Sequence, residues 1–421
     1  MRGATGSTIS RGDAPSVPVG AGFVTTYALA YMSVALMLIA PLLVTLALKI
    51  RALVGAEQAP QSLALVTGVG GLLSLFAAPV FGRLSDRTSV RFGMRRPWMV
   101  GGLVGGVLGI AVVATAPSLV VVLTGWCLAQ VSFNALQAAL VAVLPDQVPV
   151  TQRGTVSGVL GITVPVAAVL GTFLVQLFEG HQAAMFLAPC AIGSCLVLLF
   201  VTTLEDRRLD RDAARRWSLR DLAAAFHLDP RRNADFVWAF VGRFLFICAF
   251  AFLTTYQAYY LIDRVGSAED DIPDQVFLAT VVQSVVLVVA SLVGGRLSDR
   301  TGRRKVFVAV AALTYGAALF VIAAADTFGG FLIGMAISGV GFGAYMAVDL
   351  ALVADVLTDA ADSARDLGLF NIANALPYAL APAIAPAILV ASGDSYSVLY
   401  AVAGTCALLA AAAVLPIRRV R

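Results

Sequence analysis

The sequence predicts an all-α integral membrane protein in which twelve transmembrane helices form two pseudo-symmetric six-helix bundles. The first indication is composition: 59% of the 421 residues are hydrophobic and 13% are charged, whereas about 25% of the residues of a soluble protein are charged. The second is that the apolar residues fall in runs of about 20, enough for a helix to cross about 30 Å of hydrocarbon. The third is a repeat: the letters G-R-L-S-D-R-T occupy residues 82–88 and again residues 295–301, which indicates an internal duplication.

The predicted spans are separated mostly by short connections, and one long polar segment divides them six and six. That central segment is dense in Arg and Asp, and its residues 217–226 place apolar side chains along one stripe. The stripe fits a helix lying on the membrane surface, or a simple linker helix. The chain therefore divides into an N-terminal tail 1–20, a first bundle 21–203, a central loop 204–233, a second bundle 234–416 and a C-terminal tail 417–421. The twelve spans are 22–48, 61–81, 98–116, 118–144, 155–178, 182–203, 234–261, 274–294, 306–325, 329–357, 367–391 and 396–416.

The basic residues predict which way the chain crosses the membrane. If both tails and the loops after even-numbered spans lie on one side, that side receives 25 of the 29 Lys and Arg residues. The other side receives only Lys49, Arg51 and Arg264, and Arg243 falls inside a span. Basic loops stay in the cytoplasm, so we expect a multi-pass protein of the plasma (cytoplasmic) membrane with both termini cytoplasmic.

The polar residues do not suggest catalysis or a bound metal. The chain has two His and five Cys, and their spacing matches no metal or redox pattern, so the cysteines are interpreted as small buried apolar residues. No nucleophile–base arrangement, phosphate loop or cofactor motif is visible. We therefore expect no enzyme activity, no cofactor, no metal and no nucleic-acid partner.

The repeated hairpin has a physical role that can be inferred from its residue types. Glycine lets two helices approach closely, and the Asp can accept hydrogen bonds at a helix start and pair with nearby Arg. Such a cluster can stabilise one arrangement of the cytoplasmic side and break in another, which predicts gating; alternatively, the arginines set topology only. The predicted gating residues are Gly82, Asp86, Arg87, Arg91, Arg95, Arg96, Gly295, Asp299, Arg300, Arg303 and Arg304, with Asp146 and Asp355 near other cytoplasmic helix ends.

Two six-span halves, each with this hairpin between its second and third span, resemble the major facilitator superfamily. The second hairpin matches the superfamily pattern G-x-L-x-D-R-x-G-R-[RK] throughout. The first continues R-F-G-M-R-R-P-W over residues 91–98 and is similar to the sucrose transporters and the related glycoside–pentoside–hexuronide cation symporters. Asn134, Gln137 and Asp146 follow the N-x-x-Q…D spacing of plant sucrose carriers, but Val141 stands where those carriers have arginine.

The resemblance implies a central cavity lined by spans one, four, seven and ten, and two opposite charges lie on these spans. Arg243 is ten residues past Asn233, and Asp349 is ten residues before Asp359. At 1.5 Å per residue, each lies roughly 15 Å along its helix from the same side of the membrane. We expect them to pair. Asp349 would then carry a proton while Arg243 alternates between it and substrate; alternatively, the pair is static and fixes two helices.

The remaining candidate residues are polar groups that could hydrogen-bond or stack on a polyhydroxylated solute. Each could equally make a hydrogen bond between helices. Asn134 and Gln137 share one helix face and are preferred. The full set of predicted substrate-binding residues is Asn134, Gln137, Tyr31, Tyr27, Gln130, Tyr256, Gln257 and Tyr345.

The resemblance implies a secondary active transporter that works by alternating access, and we expect proton-coupled symport of a sugar or glycoside-like solute. Sodium is an alternative coupling ion, and the other expected partner is the lipid bilayer around a monomer. One alternative function is proton-driven efflux of drugs or secondary metabolites. Drug antiporters carry G-x-x-x-G-P-x-x-G-G in the fifth span, however, and this chain lacks its Gly-Pro pair and double glycine. A second alternative, a non-transporting membrane sensor or scaffold, would not require charges such as Arg243 and Asp349 inside the bundle.

Overall fold

The computed structural model describes residues 18–85, 88, 90, 92–206, 234–301, 303–356 and 363–417, with only the backbone at 150, 299, 350–356 and 363–371. Twelve helices in these ranges are long and apolar enough to cross a membrane. They are α1 Ala21–Val54, α2 Ala59–Ser85, α3 Arg96–Thr115, α4 Leu119–Gln147, α5 Val150–Leu177, α6 Gln182–Thr203, α7 Ala234–Asp263, α8 Ile272–Thr301, α9 Arg304–Ala324, α10 Phe328–Val356, α11 Ser363–Ser392 and α12 Tyr396–Val414.

Each helix corresponds to one predicted span, because hydrocarbon leaves backbone groups no partners other than those within a helix. The two tails and the segment 207–233, which includes the predicted stripe 217–226, lie outside the described residues. The sequence predicts that the first span ends at residue 48, which is too early. The helix continues through Lys49 to Val54, and the Lys49 side chain is buried rather than in a loop. Its Nζ donates to the Ala114 carbonyl at 3.1 Å and to Gln182 Oε1 at 3.2 Å, so neighbouring helices solvate the charge.

The two bundles repeat the same packing. In the first, α2 and α3 both pack on α4, and α1 packs on α5 and α6. In the second, α8 and α9 both pack on α10, and α7 packs on α11 and α12. Between bundles, α2 packs on α11 and α5 on α8, so each half offers equivalent helices to the other. The end of the molecule that carries the two repeated hairpins is called the hairpin face below, and the other end the opposite face.

Glycine makes the closest helix contacts possible. A Cβ added to Gly109 of α3 would lie 2.5 Å from the Ala129 nitrogen and 2.6 Å from the Gly125 carbonyl of α4. A Cβ on Gly343 of α10 would lie 2.2 Å from the Leu287 carbonyl of α8. These obstacles are backbone atoms that no side-chain rotation can move. Small residues at such crossings let membrane helices approach closely enough for dispersion contacts to hold them together.

Substitution of Gly109 tests this packing. We expect Gly109→Ala to lower stability by about 1–3 kcal/mol, the usual cost of overpacking a filled interface. The measurement is the thermal unfolding midpoint of the purified protein in detergent. Gly101→Ala on the same helix is the matched control, because a Cβ there meets nothing within 4 Å. Equal midpoints for the two variants would contradict the assignment.

Candidate functional site

The centre of the second bundle contains one buried ion pair. Arg243 on α7 is 5% exposed and Asp349 on α10 is 2% exposed, and Arg243 Nη1 donates to Asp349 Oδ2. Tyr345, one turn before Asp349, also shares a hydrogen bond with its carboxylate. From α11, Asn374 Oδ1 accepts a hydrogen bond from Arg243 Nε at 3.0 Å. The predicted pair is therefore present, and it joins α7, α10 and α11.

Aromatic rings surround this pair. The rings of Phe246 and Tyr345 stack face to face with centroids 3.6 Å apart and planes 5° apart. Beside them, Phe250 stacks on Phe342 at 4.3 Å and meets Tyr378 edge-on at 6.3 Å. Phe250, Phe342 and Tyr378 are half-buried. Because such surroundings have a low dielectric constant, the attraction between the two charges is stronger than it would be in water.

The pair is electrically neutral only while both members are charged. Burying one ion costs several kcal/mol, and its partner repays this cost only through good geometry and further hydrogen bonds. Tyr345 and Asn374 supply such bonds, one to each charge. A change in the charge of Asp349 would therefore disturb the charge balance of this pair, which is the property required of a switch. The proton-carrying role of Asp349 stays a prediction.

Two of the predicted substrate-binding residues line a cavity in the first bundle, and a third interacts with one of these two. This cavity, between α1, α4 and α5, has a volume of about 230 Å³ and is lined by Tyr27, Tyr31, Val141, Ser157, Gly161 and Val164, among others. Gln137 shares a hydrogen bond with Tyr31. The Tyr27 hydroxyl is already used, since it donates to the Leu140 carbonyl at 2.8 Å.

Other predicted substrate-binding residues make hydrogen bonds between or within helices. Asn134 Nδ2 donates to Ser74 Oγ on α2 and to the Gln130 carbonyl, and Ser74 Oγ donates to Gln130 Oε1 at 3.2 Å. Tyr256 is fully buried and donates to the Pro382 carbonyl of α11 at 3.1 Å, and Gln257 beside it is 2% exposed. Here the structure matches the alternative interpretation of the sequence, a hydrogen bond between helices, at Asn134, Gln130 and Tyr256.

The first hairpin binds to its own bundle. Arg95 is buried, with Nε 2.9 Å from Asp146 Oδ2 of α4 and Nη1 2.9 Å from Ser85 Oγ of α2. The carboxylate of Asp206 accepts the backbone N–H groups of Arg95 at 2.7 Å and Arg96 at 2.9 Å. A carboxylate at this position accepts from backbone N–H groups that have no partner within α3. Its negative charge also interacts favourably with the positive end of the helix dipole. Sequence inspection missed Asp206, which carries no motif of its own.

Gly93 makes the Asp206 contact possible. Its φ is +107°, a conformation that favours glycine, and a Cβ there would lie 2.2 Å from Asp206 Oδ2. Arg96 completes the cluster by donating from Nη2 to the Leu204 carbonyl at the end of α6. The second hairpin repeats this last contact, because Lys305 Nζ donates to the Leu415 and Ile417 carbonyls after α12.

Several predicted gating residues are not in such contacts or are not described. A Cβ on Gly82 meets nothing within 4 Å, and one on Gly295 meets only Ala347 Cβ at 3.7 Å. The expected close approach at Gly82 is therefore wrong for this arrangement of the helices. Arg300 and Arg303 are exposed, whereas Arg304 is half-buried and interacts with its neighbours. Asp86, Arg87 and Arg91 lie outside the described residues, as do the side chains of Asp299 and Asp355.

The two bundles are joined at the opposite face by an ion cluster that the sequence did not reveal. Arg51, near the end of α1, has Nε 2.8 Å from Glu269 Oε1 and Nη1 3.1 Å from Asp263 Oδ1 at the end of α7. The Tyr259 hydroxyl donates to the Ala47 carbonyl at 2.9 Å. We call these contacts, made by Arg51, Asp263, Glu269, Tyr259 and Ala47, the α1–α7 latch. The available signal was that Arg51 is one of only three basic residues predicted on that side.

Acidic residues beside the latch repel each other across the two bundles. Desolvation, followed by the negative charges of Asp274, Asp270 and Asp271, raises the pKa of Glu179, which lies between α5 and α6. Protonation of Glu179 removes this repulsion, so closure of the opposite face is favoured as pH falls through its raised pKa. The attraction at Arg51 therefore acts against a repulsion that depends on pH.

Towards the hairpin face, α5 has three glycines with no neighbour packed against them. Cβ atoms on Gly154, Gly158 and Gly161 would meet nothing within 4 Å, and Gly161 lines the cavity of the first bundle. The latch lies at the opposite face. The cavity therefore lies on the side of the molecule where this part of α5 is not packed.

A family model described as MFS/sugar transport protein matches residues 54–393. The chain belongs to this family. It is therefore a multi-pass membrane protein and a secondary transporter of the major facilitator superfamily, a class whose members carry small-molecule solutes and are not enzymes. The fold class and the resemblance predicted from the repeated hairpins are confirmed.

Solved transporter structures share the fold. The nucleoside transporter NupG aligns with a TM-score of 0.75 and 12% identity, covering 94% of this chain and 99% of NupG. A bacterial homologue of the human lysosomal transporter Spinster, inward-facing and occupied, aligns with a TM-score of 0.70 and 15% identity, covering 96% of this chain and 98% of that one. At such identities the likeness shows the fold alone.

A curated relative matches a smaller part of this chain. The multidrug resistance protein MdtL of Escherichia coli O45:K1 (strain S88 / ExPEC) is 32% identical over 154 residues, which are 34% of this chain and 37% of MdtL. The match thus spans little more than a third of that relative.

Loss of Arg51 should open the opposite face. We expect Arg51→Gln to increase the rate at which a membrane-impermeant maleimide labels Ala47→Cys, a position fully buried under the latch, in a background whose five cysteines are replaced by serine. Arg264→Gln is the matched control, because Arg264 pairs with Asp326 of its own bundle at the same face. Equal labelling in the two variants would show that Arg51 does not hold the bundles together.

Neutralising one member of the buried pair should cost more than neutralising both. Arg243→Met or Asp349→Leu alone leaves a buried charge without its partner, at about 3–5 kcal/mol. The double variant removes both charges, so we expect its unfolding midpoint in detergent to lie above that of either single variant. If the double variant loses as much in unfolding midpoint as the two single variants together, the charges do not compensate each other.

Proposed function

We propose that this protein is a proton-coupled symporter of a sugar or glycoside-like solute that works by alternating access. The buried Arg243–Asp349 pair carries the proposal, because a charge inside a membrane bundle is costly and is retained chiefly where it has a function. The description of the matching family as sugar transport supports the solute class. The plasma (cytoplasmic) membrane is the proposed location, with the hairpin face and both termini in the cytoplasm, where basic loops belong.

The coupling step follows from charge balance. While Asp349 is ionised, Arg243 is held by it and by Asn374. A proton on Asp349 weakens one of the bonds that hold the guanidinium, which can then turn towards a hydroxyl of the solute. Release of the proton restores the ion pair and displaces the solute. A sodium ion near the same carboxylate is the alternative coupling ion.

The solute would lie between the two bundles. Tyr31 and Gln137 line its first-bundle side, and Phe250, Phe342 and Tyr378 supply aromatic faces on the second-bundle side. Sugar rings stack their C–H surfaces on such faces and hydrogen-bond to amides. With the latch closing the opposite face and the hairpin face in the cytoplasm, the proposed state is inward-facing, and a monomer contains every part of this site.

Drug efflux is the second candidate, favoured by the match to MdtL over 34% of the chain. The cavity lining, with Val141, Leu160 and Val164, would also accept an apolar solute. A thermal-shift screen of the purified protein against sucrose, lactose, glucose, phenyl glucosides and ethidium separates the two candidates. Stabilisation by sugars or glycosides supports the first, and stabilisation by ethidium alone overturns it.

Asp349→Asn should abolish proton coupling while leaving exchange of the solute intact. The amide keeps the size and hydrogen-bonding capacity of the side chain but cannot carry the proton. In proteoliposomes with an imposed pH gradient, we expect accumulation of the radiolabelled sugar found in the screen to fall to equal concentrations on the two sides. Counterflow at equal pH should persist.

Asp326→Asn is the matched control for this experiment. Asp326 also pairs with an arginine, but its side chain is 70% exposed at the opposite face, so we expect normal accumulation. Accumulation by Asp349→Asn at the wild-type level would overturn the proton-carrying role.

A further inference from the structure

We propose that Asn374 is a positioning residue that transmits the protonation state of Asp349 to α11. This inference rests on the proposed proton coupling. Asn374 Oδ1 accepts from Arg243 Nε at 3.0 Å, while Arg243 Nη1 bonds Asp349. Because a guanidinium is planar and rigid, these two bonds fix its plane at two points. A change in the bond between Arg243 and Asp349 therefore changes the position of Arg243 relative to α11.

Helix α11 is weakened next to Asn374. Pro377, Pro382 and Pro386 lie inside it, and each proline removes the helical hydrogen bond to the carbonyl four residues earlier. Pro386 thus leaves the Pro382 carbonyl without its usual donor, and the Tyr256 hydroxyl of α7 supplies one at 3.1 Å. Helix α7 consequently holds α11 at two points, Asn374 through Arg243 and the Pro382 carbonyl through Tyr256, with Pro377 between them.

This part of α11 also touches the other bundle. A Cβ added to Gly71 of α2 would lie 2.9 Å from Ala379 Cα, and one added to Gly68 would lie 3.3 Å from the Ala379 carbonyl. Ala379 follows Asn374 by five residues, roughly 7.5 Å along the helix. A shift of α11 at Asn374 would therefore reach the contact between the bundles, which must change when the transporter changes its open face.

The groups around the pair determine which hydrogen bonds Arg243 keeps when Asp349 is protonated. Arg243 of α7 and Tyr345 of α10 face Asp349, Tyr378 of α11 faces Arg243, and Tyr315 of α9 interacts with Tyr378. Among these groups Asp349 is the carboxylate, so a proton on it replaces a charged acceptor of the guanidinium by a neutral one. Asn374, already bonded to Nε, then carries a larger share of its hydrogen bonding, and α11 follows Arg243.

The test uses the full-length protein without any solute. The rate of maleimide labelling at Ala47→Cys is measured at about pH 5.5 and about pH 8, a range that spans titration of a perturbed carboxyl. The cysteine-free background also carries Glu179→Gln, which removes the pH-dependent repulsion at the opposite face. At each pH the rate is divided by that of the same protein unfolded in SDS, because maleimide reacts with the thiolate and its rate therefore rises with pH by itself. We expect the acid-induced change in labelling rate to be lost in Asn374→Leu, which has a similar volume and no acceptor. Asn374→Gln, which restores an amide oxygen, should recover it.

Gln283→Leu is the matched control, because Gln283 Nε2 makes a comparable bond between helices to Ser338 Oγ at 2.8 Å, away from the ion pair. It should lower the unfolding midpoint and keep the acid response. If Asn374→Leu does not yield folded protein, Asn374→Ala replaces it. A full acid response in Asn374→Leu together with its loss in Asp349→Asn would overturn this inference alone. No acid response in the wild type, or a full response in Asp349→Asn, would overturn the proposed coupling itself.

Discussion

The cost of a charge in a membrane bundle constrains the whole second half of this protein. Arg243 and Asp349 cannot be buried separately, so the helices that carry them must stay together in any state in which both are ionised. Tyr345 and Asn374 complete their hydrogen bonding from α10 and α11. Three helices are thereby linked through four side chains, and a change in the charge of one of them would act on all three helices.

The first bundle has the same helix packing and a different interior. Its central polar residues are neutral: Asn134, Gln130 and Ser74 hydrogen-bond to each other, and Gln137 bonds Tyr31. Neutral groups can be satisfied by short bonds within the bundle and do not change with pH. The centres of the two bundles therefore differ: the second holds the ion pair, and the first holds neutral groups that hydrogen-bond to each other.

The sequence predicted most of the fold because hydropathy alone determines where a membrane helix can lie. It also placed Arg243 and Asp349 together, since depth in the membrane follows from residue counting. It could not find Asn374, Asp206 or the partners of Arg51, because these contacts depend on the rotation and crossing of helices distant in sequence. It placed Asn134 on the right helix, but no pattern in the sequence shows that Ser74 on α2 occupies its amide.

The contacts at the two faces differ in kind, and this difference changes the role of the repeated hairpin. Arg95 and Arg96 bind Asp146, Asp206 and the end of α6, all within the first bundle, and Lys305 binds the end of α12 within the second. Alternating access moves one bundle against the other, so these bonds can persist throughout the cycle. The α1–α7 latch joins the bundles and must break for the opposite face to open. The described hairpin contacts therefore lie within the bundles, whereas the α1–α7 latch lies between them.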